Sequence, residues 1–94
     1  MNEGNLTIDA FQRFIRERYY TADHARGTPA TFMWLIEEVG ELATALHGDD
    51  EVNLREEFAD VLAWLCTLAN INGVDLTEAV RKKYMDGRGP EGHK

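Results

Sequence analysis

A single cysteine, Cys66, leaves this 94-residue chain without a disulfide framework or a thiol-based zinc site. It falls inside an apolar helical pattern, where a buried structural thiol is the expected role. No run of eighteen apolar residues occurs, so no membrane-spanning helix is expected. The first residues, Met1 to Asn5, lack the basic-then-apolar order of a signal peptide, and a cytoplasmic protein is expected. Positive charge is scarce: ten Lys and Arg stand against seventeen Asp and Glu, a formal net charge of −7. Phosphate backbones bind basic faces, so a general nucleic-acid surface is excluded. An anionic substrate would be reached only through metal ions or a local cluster of Lys and Arg. Internal repeats and low-complexity segments are missing as well. One domain is expected over residues 1–94, with its core at about 8–85 and a loose polar tail at 87–94.

What is present is helical periodicity, in four segments with no strand between them. Thr7 is placed to cap a first helix whose Ile8, Phe11, Ile15 and Tyr19 form one stripe. The segment Tyr20 to Gly27, with His24 and Arg26, is expected to lead out of it. Thr28-Pro29 opens a second helix with a hydroxyl at the cap and proline at the first helical position. That helix runs to about His47 and stops at Gly48. After the acidic connection Asp49-Asp50-Glu51, Asn53 with Glu56 fits a capping box for a third helix, ended by Gly73. Asp75 with Glu78 caps a fourth, Leu76 to about Met85. The third helix is apolar nearly all round, which marks a central element touched on several sides. Four short helices leave more apolar surface than one small protomer can cover. An all-α, four-helix protomer in an oligomeric bundle is therefore expected, a dimer or a dimer of dimers.

The second and third helices also carry the chemistry. Glu38 and Glu41 lie three residues apart on one side of the second helix, and Glu57 and Asp60 repeat that spacing on the third. Trp34 and Ala45 share the stripe of the first pair; Trp64 and Ile71 share that of the second. A Glu-rich helix surface is ordinarily a wet face, but this company is not that of a wet face. Four carboxylates within about 4 Å would repel by roughly 4 kcal/mol per pair at an effective dielectric near 20. Protonation or a bound cation relieves such repulsion. Oxygen ligands without His or Cys select a hard ion, Mg²⁺ or Mn²⁺.

Glu37-Glu38-Val-Gly-Glu41, followed after a short spacer by Glu57-Phe-Ala-Asp60, resembles the Glu-Glu-x-x-Glu and Glu-x-x-Asp pattern of the MazG-like all-α nucleoside triphosphate pyrophosphohydrolases. The likeness extends over about residues 8 to 85. It implies an oligomeric helical bundle that uses Mg²⁺, with Mn²⁺ as a substitute, to cut a nucleoside triphosphate into the monophosphate and pyrophosphate. By that match Glu38, Glu41, Glu57 and Asp60 are the metal ligands, and Glu37 takes a supporting or water-orienting role. Glu37 or Glu41 would accept the proton of the attacking water. Lys82, Lys83 and Arg88 are candidates for the leaving phosphates, although cations near a helix end also suit its dipole. Trp34 or Trp64 offers a stacking surface for the base, with Tyr19 and Tyr20 as comparable candidates, and packing competes for both tryptophans. Two other readings compete. One is phosphoribosyl-ATP pyrophosphohydrolase, of the same helical superfamily; the other is a non-catalytic interaction module whose carboxylates are surface charges.

Overall fold

A computed structural model describes residues 3–86. After a 3-10 turn at Glu3–Asn5 come α1 (Ile8–Arg26), α2 (Thr28–His47), α3 (Glu51–Ile71) and α4 (Leu76–Val80), the last running on into a π turn at Arg81–Met85. No strand occurs among the described residues. The tail at 87–94, and Arg88 with it, lies outside them.

Several boundaries follow the local capping chemistry. The Thr7 hydroxyl accepts from Ala10 N at 3.0 Å, and the Asp75 carboxylate accepts from Glu78 N at 3.1 Å. Three boundaries differ from the expectation. α1 does not fray at Tyr20: it continues to Arg26, because Asp23 turns inward and is buried there. Gly27, at φ 85, then makes the corner; its N–H donates to Asp23 O and its carbonyl accepts from Thr31 N, each at 3.1 Å. A left-handed φ suits glycine. Thr28 is thus already inside α2, and its hydroxyl instead exchanges hydrogen bonds with Asn72.

The third helix also starts earlier than the capping-box pattern implies. Asp50 is its cap, accepting from Asn53 N at 3.1 Å, and Glu51 occupies the first turn. The acidic stretch is a helix start, where carboxylates meet the positive end of the dipole, and Glu56 has no capping duty. Asp50→Ala should therefore cost about 1 kcal/mol of stability, while Glu56→Gln changes it by less than about 0.5 kcal/mol, as an exposed surface substitution should. Urea denaturation of the two variants measures this; a larger loss for Glu56→Gln would restore Asn53 as the cap.

α3 is the central element, packed against α2 on one side and α1 on another. The fully or nearly buried apolar set is small: Ile15, Leu35, Ala45, Cys66 and Ala69. Burial pushes the Cys66 thiol up from its ordinary pKa, which keeps it protonated and unreactive. A polar lock ties the helices at one end. Gln12 Nε2 donates to Asn70 Oδ1 at 2.9 Å and to Val74 O at 2.8 Å. Gln12 Oε1 accepts from Leu76 N, and Asn70 Nδ2 donates back to Gln12 O. Buried amides are costly unless so satisfied, so this pair sets the register of α1 on α3 and of the turn into α4.

Large apolar side chains stay exposed on the protomer, among them Met33 at 72%, Leu46 at 58%, Phe58 at 54% and Ile36 at 51%. The apolar residues of α2 divide between two faces: Leu35 and Leu42 point inward, whereas Ile36, Val39 and Leu46 do not.

Candidate active site

On α2 the inward positions are Thr31, Leu35, Glu38, Leu42 and Ala45; on α3 they include Leu54, Glu57, Val61, Trp64 and Leu68. Steps of three and four residues make each set one stripe. Glu38 and Glu57 therefore occupy positions where the residues one turn before and one turn after are shielded. The α2–α3 seam presses these two carboxylates together. Glu38, Glu41 and Glu57 each offer an oxygen, and the three oxygens lie within 4.8 Å of one another. Glu41, one turn beyond Glu38, is exposed and forms the wet side of the group.

The electrostatics show the strain of this arrangement. The Glu38 pKa is raised from 4.5 to about 7, first by desolvation and then by the negative charges of Glu41, Asp60 and Glu57. Glu38 Oε2 and Glu57 Oε1 are buried with no hydrogen-bond partner. As carboxylates both can only accept; with a proton on Glu38, the pair can form one hydrogen bond, which raises the pKa further. Two orphaned acceptors beside a third carboxylate are a donor set for a hard divalent cation. The residues fit such an ion.

Asp60 stands close enough to raise the Glu38 pKa but lies outside the 4.8 Å group and is exposed. Glu37 is exposed and about a quarter-turn round the helix from Glu38. Lys82 and Lys83 are exposed on the π turn, and the helix leading into it packs on α1. Trp34 and Trp64 stack on each other, centroids 6.0 Å apart and 15° from parallel. Tyr20 is engaged by His24 and by the Arg16 guanidinium.

Residues 27–91 match the family described as the MazG nucleotide pyrophosphohydrolase domain. The chain belongs to the MazG nucleotide pyrophosphohydrolase family. It is 35% identical over 82 residues to a dATP/dGTP diphosphohydrolase of Cyanophage S-2L, a stretch covering 87% of this chain and 74% of that protein. The MazG chain is accordingly a hydrolase acting on nucleoside triphosphates, with α2 and α3 carrying its acidic cluster. No described helix is long and apolar enough to cross a membrane.

Sequence reasoning missed one set of residues beside the cluster. Asp23, 4% exposed, pairs through Oδ1 with Arg26 Nη2 at 3.0 Å. Arg26 in turn covers the Trp64 ring at 5.0 Å and reaches the buried Thr31 hydroxyl at 3.4 Å. An acidic residue three before an arginine is common on helices, so nothing local distinguishes it. Its burial depends on α3 crossing α1.

Proposed function

We propose that this MazG protein hydrolyses a purine deoxynucleoside triphosphate to the monophosphate and pyrophosphate with Mg²⁺ held by Glu38, Glu41 and Glu57. The convergence of those three carboxylates, two with buried unpartnered oxygens, carries the reading. The purine deoxynucleotide follows from the named activity of the cyanophage relative. When bound, the ion neutralises triphosphate oxygens and acidifies water for attack on the α-phosphorus. Glu38 and Glu57 would hold it from the half-buried side of the seam. Glu41 works from the exposed side and takes the proton of the attacking water. Glu37, turned away from the cluster, supports the helix surface and does not reach the reacting atoms. Asp60 completes the ligand set from the rim. Attack at the α-phosphorus breaks its bond to the bridging oxygen, and pyrophosphate leaves. Lys82 and Lys83, exposed on the π turn, are proposed to receive it, with Arg88, outside the described residues, as a further candidate on sequence alone.

An assay over the eight standard ribo- and deoxyribonucleoside triphosphates, with Mg²⁺, Mn²⁺ or chelator, tests this. Monophosphate and pyrophosphate should appear only with metal; release of orthophosphate and diphosphate would overturn the cleavage position. The match to MazG, together with a triphosphate-acting relative, favours this reading over phosphoribosyl-ATP. A non-catalytic module would show no turnover and no response to millimolar metal.

The working form is proposed to be a homodimer or homotetramer. Support comes from the apolar residues Ile36, Met33 and Phe58, which stand half exposed or more on the two helices bearing the site. Ile36→Glu should dissociate it at micromolar concentration, with the helical content of the protomer kept. On an isolated protomer the same change would touch only surface and move stability by less than about 0.5 kcal/mol. Light scattering that found the unmodified protein monomeric would remove the proposal.

A further inference from the structure

Between α1 and α3 lies a cavity of about 310 Å³, bordered by Tyr19, Asp23 and Arg26 from one helix and Ala63, Trp64 and Thr67 from the other. Its volume is at the small end of sites that take small molecules. Most of its wall is apolar and aromatic. One polar feature stands out: Asp23 is 4% exposed, and its Oδ2 is buried with no hydrogen-bond partner. Its other oxygen is held by Arg26, at 3.0 Å. A buried acceptor left open in this way costs about 1–3 kcal/mol unless something donates to it. The cavity also has the right address. Trp64 is one turn beyond Asp60 and two beyond Glu57 on the same stripe of α3, about 10 Å from Glu57 along the helix axis. A sugar spans such a gap between a base and its α-phosphate.

We propose that this cavity is the base site, that Asp23 reads the base edge, and that the edge it selects is that of guanine. The inference rests on the pyrophosphohydrolase reading of the carboxylate cluster. A carboxylate only accepts, and Oδ1 keeps a second lone pair beside the Arg26 contact. Guanine presents two adjacent donors, N1–H and the N2 amino group, which match the two oxygens. Adenine sets its N6 amino group beside the N1 acceptor, and cytosine its N4 amino group beside N3. Thymine flanks its one N–H with two carbonyls. Each of those three places a lone pair against a carboxylate oxygen. Arg26 is the positioning residue: its contact at 3.0 Å fixes the rotamer of Asp23. Trp64 supplies the apolar wall, its ring already covered by Trp34 and by the Arg26 guanidinium. Tyr19, Asp23 and Arg26 all precede Gly27, where the family match begins.

Steady-state kinetics with dGTP, dITP and dATP test this on the intact protein. dITP lacks only the 2-amino group. kcat/KM for dGTP should exceed that for dITP by about ten- to a hundredfold, the worth of one hydrogen bond to a charged acceptor, and should exceed that for dATP. Asp23→Asn should collapse the dGTP-to-dITP ratio toward one. If Asp23→Asn does not fold, Ala63→Leu, which fills the cavity from α3, should raise KM for dGTP at least tenfold. A wild-type ratio near one, a dATP preference, or an unchanged ratio in a folded Asp23→Asn would overturn the assignment. Tryptophan fluorescence titrations with dGMP and dIMP, without metal, separate the two claims. If no triphosphate is cleaved but dGMP binds at least tenfold tighter than dIMP, the reaction assignment falls and the cavity assignment stands. Equal affinities for dGMP and dIMP would overturn the cavity assignment whatever the turnover.

Discussion

Glu57→Gln should depress turnover by two to four orders of magnitude, roughly 3–5 kcal/mol of transition-state stabilisation, and leave the helical circular dichroism intact. Glu57 Oε1 is buried and unpartnered, which leaves it open to a ligand of the cluster. A neutral amide keeps the shape of the side chain but loses the charge that would hold the proposed cation. Glu38→Gln should be equally severe for the same reason, and Glu41→Gln severe through both ligand and proton acceptor. Asp60→Asn should cost less than Glu57→Gln, since Asp60 is exposed and lies outside the three-carboxylate group. Glu37→Gln and Glu56→Gln, both exposed and outside the cluster, should keep most activity. Single-turnover measurements at saturating Mg²⁺ rank these variants. A dead Glu56→Gln beside an active Glu57→Gln would show that α3 presents another face to α2, and the metal assignment would fall with it.

The second large effect is the stability of the metal-free protein as pH changes. Glu38 is raised from 4.5 to about 7 in the folded chain. Between those values the folded state holds a proton that the unfolded state has released. Stability then falls as pH rises: the contribution is full below about 4.5 and is lost as pH passes through 7. Bound cation should reverse this. At a hundredfold excess over Kd it adds about 2.7 kcal/mol, which for a domain of this size is a rise in Tm of roughly 10–20 °C. The rise should be largest above pH 7, where Glu38 is ionised and the cluster repels itself most. Glu38→Gln should flatten the metal-free pH profile, raise stability at pH 8 and remove most of the metal response. Melting curves from pH 4 to 9, with chelator and with Mg²⁺, decide the matter. A metal-free Tm that climbs from pH 5 to 8 would mean that the Glu38 carboxyl is not the strained group.

Much of this was legible in the residues because helices write their burial into sequence at steps of three and four. The stripes read through Trp34 and Trp64 held only in part: Glu38 and Glu57 lie half-buried in the α2–α3 seam, whereas Trp34, Glu41 and Asp60 are exposed. Thr7 and Asp75 announced caps, because a cap is a contact between residues three apart. The same local logic misled where two candidates stood close together. Asn53 and Asp50 can each start a helix, and it is Asp50 whose carboxylate accepts from Asn53 N. Ile36 and Leu35 are equally apolar, but the docking angle of α2 buries one and exposes the other.

Residues distant in sequence were invisible for a different reason. Gln12 meets Asn70 across 58 positions, and no period in the chain records that pairing. Asp23 and Arg26 read as an ordinary charged pair near a helix end. The crossing of α3 over α1 makes them the wall of a cavity, facing Ala63, Trp64 and Thr67. The sequence by itself thus determined the helices and the acidic pairs, which depend on neighbours within one or two turns. Tertiary structure decided which three carboxylates share one point in space and which aspartate is left with an open acceptor. Those outcomes depend on the distance and angle between helices, and these are set by the packing of side chains from all parts of the chain at once.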